Sequence, residues 1–224
     1  MLEVLTGLVG DASLAAELVS VPPIALFYGW MSLSFVPLLV TFTSSESISA
    51  ALASGSCRYS LFRIDRLSWV SGKLVGQLLL MVTGILVGAA GVWVIGYLQM
   101  NNFTGLDTAV WLLRFSGRAS VYGFAFLGVT LGLSQITRSV NGARAMALLA
   151  LLALSVGGAL LLVPDVTEYA PVAAETARQL FPNAHKLNLW RPDLLLRASA
   201  VMMLTALGLI AFGAGHQWMS RRDA

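Results

Sequence analysis

The sequence predicts an all-α, polytopic membrane protein with five transmembrane helices, and three observations carry that reading. Hydrophobic residues make up 57% of the 224 residues, charged residues only 11%, and the mean hydropathy is +0.79, a balance far from that of a soluble domain. Five runs lack Asp, Glu, Lys and Arg altogether: Pro23–Thr43, Leu74–Leu98, Ala119–Thr137, Ala145–Pro164 and Ala198–Gln217, of 21, 25, 19, 20 and 20 residues. At about 1.5 Å of rise per residue, each is long enough to cross a ~30 Å hydrocarbon core. Lipid offers no partner to a free backbone amide, so these runs must be helices.

Taken in order, residues 1–22 hold Glu3, Asp11 and Glu17 but no Lys or Arg, unlike the start of a signal peptide, and read as an outer segment with an interfacial helix ending before Pro22-Pro23. The first span then runs inward to a polar interruption, Ser44–Lys73, which reads as a cytoplasmic loop. The second span carries Gly84, Gly88 and Gly91, a spacing that lets helix backbones approach closely in a bilayer. Asn101–Arg118 contains the sequon Asn102-Phe103-Thr104, and its Leu106, Val110, Leu113 and Phe115 predict an amphipathic helix lying at the outer interface. Ser139-Val140-Asn141-Gly142 supplies the turn between the third and fourth spans. An outer loop, 165–193, rich in proline, leads to the last span at about Leu194–Trp218.

Charge fixes the expected orientation. The loops read as inner hold Arg58, Arg63, Arg66, Lys73, Arg138, Arg144, Arg221 and Arg222, while the outer segments hold the other six cations and most of the acids. Short loops dense in Lys and Arg stay in the cytoplasm, which places the N-terminus outside and the C-terminus inside an inner, or cell, membrane. The formal charge of +3 therefore reads as topology, with no nucleic-acid partner expected.

Catalytic constellations are absent from the pattern. His185 and His216 fall on opposite sides of the bilayer by this topology and cannot share a metal or a dyad. No charge falls mid-span to serve as a proton relay. Gly72-Lys73 is followed by Leu74, which breaks a phosphate-cradling loop, and the lone Cys57 excludes an intrachain disulfide. No cofactor, metal or enzymatic activity is expected.

The inner loop is the remaining candidate. Arg58, Phe62 and Arg66 recur at i, i+4 and i+8, one face of a helix, with Tyr59 and Arg63 beside it. Such a helix can dock in a groove of a soluble partner, or its cations and aromatics can simply fix topology and anchor the spans. Here Glu46, the run Ser54-Gly55-Ser56-Cys57-Arg58-Tyr59, Leu61, Arg63 or Arg66, and Gly72-Lys73-Leu74 resemble the permeases of type-2 ATP-binding-cassette (ABC) transporters. Leu133-Ser134-Gln135-Ile136-Thr137-Arg138-Ser139 and the terminal Arg221-Arg222-Asp223 also look like that family.

The resemblance implies a single permease domain over 1–224 that works as a homo- or heterodimer of permeases with a separate cytoplasmic ABC ATPase subunit. It implies a coupling helix within 44–73, with Glu46, Ser54, Gly55, Arg58, Tyr59, Phe62, Arg63 and Arg66 touching the ATPase, and an exit-gate role for the proline-rich outer segment. It also implies six spans, of which this chain would lack the first.

Overall fold

Pro23 opens helix α1 (Pro23–Ser44), where a fixed φ and a missing amide hydrogen suit the first turn. The structure, a computed structural model, describes residues 19–57, 62–100, 103–160, 179–191 and 193–222. The expectations for residues 1–18, for Asn102 of the sequon and for 161–178 lie outside the described residues. After α1 come a short α2 (Ser49–Ala53), α3 (Arg66–Gln99), α4 (Gly105–Ile136), α5 (Val140–Leu160), a short α6 (Pro182–Lys186) and α7 (Leu194–Arg222). Among the described residues there is no strand, and five helices are long and apolar enough to cross a membrane.

Two boundaries differ from the sequence reading. Helix α3 starts at Arg66 and not at Leu74, because Asp65 caps it by accepting a 2.9 Å hydrogen bond from the Ser68 amide. Arg66 and Lys73 thus ride on the first turns of α3 instead of lying in the loop. The amphipathic outer helix and the third span are one continuous helix, α4. Its arginines do not interrupt it, since each sits over neighbouring rings: Arg114 Cζ is 4.9 Å from the Trp111 centroid, and Arg118 Cζ is 5.4 Å from that of Phe115 and 5.3 Å from that of Trp190.

Helix α4 is the axis of the bundle. It touches α1, α3, α5 and α7, and 67% of its most apolar window is buried, against 50% for α1 and at most 17% for the other spans. Leu112, Phe115, Ala119, Tyr122, Ala125, Phe126, Leu127 and Leu131 are all buried on it. The outward faces of α3, α5 and α7 keep large apolar residues exposed, as lipid contact requires.

The closest approach joins α4 to α7, which run parallel. A Cβ on Gly208 would sit 2.8 Å from the Phe124 carbonyl oxygen, and one on Gly128 would collide with the backbone of Gly208. One turn further along α4, a Cβ on Gly132 would collide with the Ala211 backbone, and one on Gly215 with the backbone of Gly132. The close glycine packing expected at Gly84, Gly88 and Gly91 is not found: a Cβ at Gly84 or Gly91 would meet nothing within 4 Å, and one at Gly88 only Tyr28 at 3.8 Å.

Hydrogen bonds lock the remaining spans. The Tyr28 hydroxyl donates to the Ile85 carbonyl at 2.8 Å and shares a 3.1 Å bond with Ser116 Oγ, joining α1, α3 and α4. Ser44 Oγ donates to Gln77 Oε1 at 3.1 Å near the other end of α1. Asn183 of α6 accepts from the Tyr122 hydroxyl and donates to the Ser155 carbonyl at 2.8 Å, tying α4 to α5.

These contacts give a direct expectation. Gly128→Ala should destabilise the bundle by about 2 kcal/mol, the scale of overpacking, whereas Gly84→Ala should stay within roughly 0.5 kcal/mol of the parent. Unfolding in mixed detergent, followed by circular dichroism, compares the two.

Candidate functional site

Alternating helix directions sort the charged side chains to the two ends of the bundle. Glu46, Arg63, Asp65, Arg66, Arg138 and Arg144 gather at one end, and Asp107, Arg114, Arg118, Lys186, Arg191 and Arg197 at the other. The first end carries the candidate loop.

The near half of this loop is built into the bundle. Ile48 is fully buried, and the buried Ser49 donates its amide to Ser134 Oγ, at the end of α4, over 3.0 Å. Glu46 forms an ion pair with Arg144, at the start of α5, the two side chains being 41% and 49% exposed. Helix α2 ends at Gly55, whose φ of +72° lies in the left-handed region where a side chain would be strained. Ser54 Oγ, on the surface, donates to Ser56 Oγ at 3.0 Å, and Cys57 folds back into the protein.

The far half is exposed. Phe62 is 86% exposed, Arg63 and Ile64 lie beside it at the surface, and Leu67 is exposed on the first turn of α3. Arg66 is half-buried, and Lys73 Nζ lies 6.0 Å from the Trp69 ring. Arg58 and Tyr59 lie outside the described residues.

The single helical face expected for Arg58, Phe62 and Arg66 does not hold between the last two. Phe62 and Arg63 stand in a turn, Asp65 is extended with ψ of 156°, and Arg66 opens a separate helix. The physical cause is the Asp65 cap, which starts α3 and so cannot continue a preceding helix. Among the described residues of the loop, Ser49–Ala53, Ser56 and Cys57 are helical, and no helix joins Phe62 to Arg66.

The arrangement seats Glu46 on the start of α5, leaves Ser54 and Gly55 in the exposed turn after α2, and holds Phe62, Arg63 and Arg66 at the entrance to α3. Ser134 and Arg144, which fasten the loop, were not legible as its partners. Ser134 lies 85 positions from Ser49 and Arg144 98 from Glu46, separations that no local spacing reports.

Among the described residues no cluster of His, Cys, Asp and Glu could hold a metal ion. The Asp65 carboxyl is held below its ordinary value of 3.8 by the Ser68 hydroxyl and then by the Ser68 amide. No protein-family model matches the chain, and neither a curated protein nor a solved structure does so.

Two outcomes follow. Arg144→Glu should loosen Ser45–Ser49 by up to about 1 kcal/mol in amide exchange, and the swap Glu46→Arg with Arg144→Glu should restore protection. Because the folded Asp65 pKa lies below the unfolded one, its cap is complete above the ordinary value and is lost as pH falls through the folded value. Exchange at the Ser68 amide should therefore depart from its intrinsic pH dependence below pH 3.8, and Asp65→Asn, which caps without titrating, should remove that departure.

Proposed function

We propose that this chain is a membrane-spanning permease subunit of an ABC exporter, converting the motion of a separate cytoplasmic ATPase into rearrangement of its spans. Five helices long and apolar enough to cross a membrane support its coarser part, a multi-pass membrane protein. The observation that carries the reading is the anchorage of Ser44–Lys73. The same loop carries an exposed aromatic and cationic surface at Phe62 and Arg63 and a base fastened to α4 through Ser49 and Ser134 and to α5 through Glu46 and Arg144. A push on such a loop reaches the central helix directly, which is what a transmission element needs.

On this reading the loop end faces the cytosol, Arg58, Tyr59, Phe62, Arg63 and Arg66 meet the ATPase, and a second permease copy completes the path. Ser54 and Gly55 form the turn that exposes the contact. Glu46 serves inside the chain, as the brace to Arg144, and not as a direct tie to the partner. The permease carries no catalytic residue; ATP hydrolysis belongs to the partner.

A second reading is favoured by that same brace. A loop rigidly fixed to the bundle equally suits a membrane anchor that holds a cytoplasmic partner and transports nothing.

Co-reconstitution with a candidate Walker-type ABC ATPase separates the two. Arg58→Glu with Arg66→Glu should lower permease-stimulated ATPase turnover about tenfold or more while the complex still assembles, the effect of removing interface anchors. Turnover that ignores both substitutions removes the coupling role and leaves the anchor.

A further inference from the structure

Where α1 and α4 begin and α3 ends, at the end of the bundle opposite the loop, lies a pocket of about 400 Å³ that neither reading uses. Its walls are Pro22, Pro23, Ile24, Met100 and Phe103, and the polar side chains lining it are Thr104 and Thr108, one turn apart. No charged side chain lines it.

The walls are set before anything enters. Phe103 rests on Gly96 of α3, where an added Cβ would come within 2.6 Å of its ring. Trp93 donates its indole N–H to the Gly105 carbonyl at 2.9 Å, which fastens the start of α4 to the end of α3. A preformed site loses little binding energy to ordering itself.

Thr108 carries the unmet need. Its side chain is 1% exposed, and its hydroxyl has no hydrogen-bond partner. Other hydroxyls in the spans satisfy themselves at the carbonyl four residues back: Thr41 donates to Pro37, Ser116 to Leu112 and Ser120 to Ser116, each at 2.8 Å. The Thr108 hydroxyl makes no such bond to Thr104, although the Thr108 amide donates there at 3.0 Å. At the opposite wall, the Pro22 carbonyl already accepts from the Ala25 and Leu26 amides. A buried hydroxyl left unpaired costs free energy, so a molecule that brings it a partner is held by that bond.

Depth and charge identify the occupant. Pro23 opens the charge-free run Pro23–Thr43, and Met100 lies two residues past the end of Leu74–Leu98, so the pocket straddles the boundary between hydrocarbon and water. Trp93 and Tyr97, stacked beside Phe103, are residue types that settle at this boundary. Water would satisfy the hydroxyl but gain nothing from the apolar walls. An anion would find no cation in the lining and would meet Asp107 in the same first turn of α4. A carbonyl would use only the donor half of the threonine, whereas a hydroxyl both donates and accepts.

We infer that this pocket binds an uncharged single-chain lipid that ends in a hydroxyl, the hydroxyl paired with Thr108 and the chain lying against Ile24, Met100 and Phe103. The site depends on neither reading of the loop.

Photolabelling of the full chain in phosphatidylcholine nanodiscs with a diazirine analogue of 1-dodecanol tests it. Label should map to Ile24, Met100 or Phe103, and 1-dodecanol should displace it about tenfold more effectively than dodecane or dodecanoate. Thr108→Val, which keeps the shape of the side chain without its hydroxyl, should weaken labelling about tenfold, the loss of one buried hydrogen bond, while Thr108→Ser keeps it. Label that maps elsewhere, equal displacement by dodecane or dodecanoate, or a Thr108→Val variant that labels like the parent overturns the site. Melting gives an independent reading. With no partner to lose, Thr108→Val without ligand should have a Tm no lower than the parent, and 1-dodecanol should raise the Tm of the parent more than that of the variant. A ligand-free variant that melts below the parent, or fails to fold, shows the hydroxyl already paired and overturns the proposal, as does an equal rise in both.

Discussion

Backbone contact between α4 and α7 is the constraint from which the rest of the bundle follows. In lipid, apolar side chains gain nothing by leaving their surroundings for one another, so helices associate through close packing and hydrogen bonds. Gly128, Gly132, Gly208 and Gly215 bring two parallel backbones together without intervening side chains. Once α7 is seated on one side of α4, α1, α3 and α5 share the rest of its circumference. Tyr28 and Asn183 then fix their heights with bonds to partners on two helices each.

The spans were legible because hydropathy is summed over some twenty residues and tolerates local exceptions. Interruptions were harder to read. Arg114 and Arg118 suggested a break before Ala119, yet the rings beneath them let one helix run from Gly105 to Ile136. At the other end, Asp65 marked a helix start that the cations around it obscured. Glycine spacing was present both in Gly84-Gly88-Gly91 and in Gly128-Gly132, and only tertiary structure distinguishes which faces a neighbour and which faces lipid. For the candidate loop, residue types were readable but their fastenings were not, since Ser134 and Arg144 are distant in sequence.

The two ends of the molecule treat arginine differently. At the loop end, Arg144 is matched to a carboxylate and braces a turn. At the far end, Arg114 and Arg118 lie on aromatic rings and Arg197 is held by a carbonyl. The first arrangement neutralises charge and stiffens backbone. The second packs guanidinium groups against aromatic rings and a carbonyl, joining α4 to Trp190 and α7 to Arg191.

Helix α3 has 34 residues and a length of about 51 Å, well beyond the ~30 Å of a hydrocarbon core. Its charge-free stretch of 25 residues alone would reach roughly 37 Å, so it must lean if both its ends are to meet water. Lean is coupled to bilayer thickness: a thinner membrane tips this strut further from the normal and a thicker one draws it upright. Since the strut begins at Arg66, beside the exposed Phe62, a change of lean would carry that corner sideways.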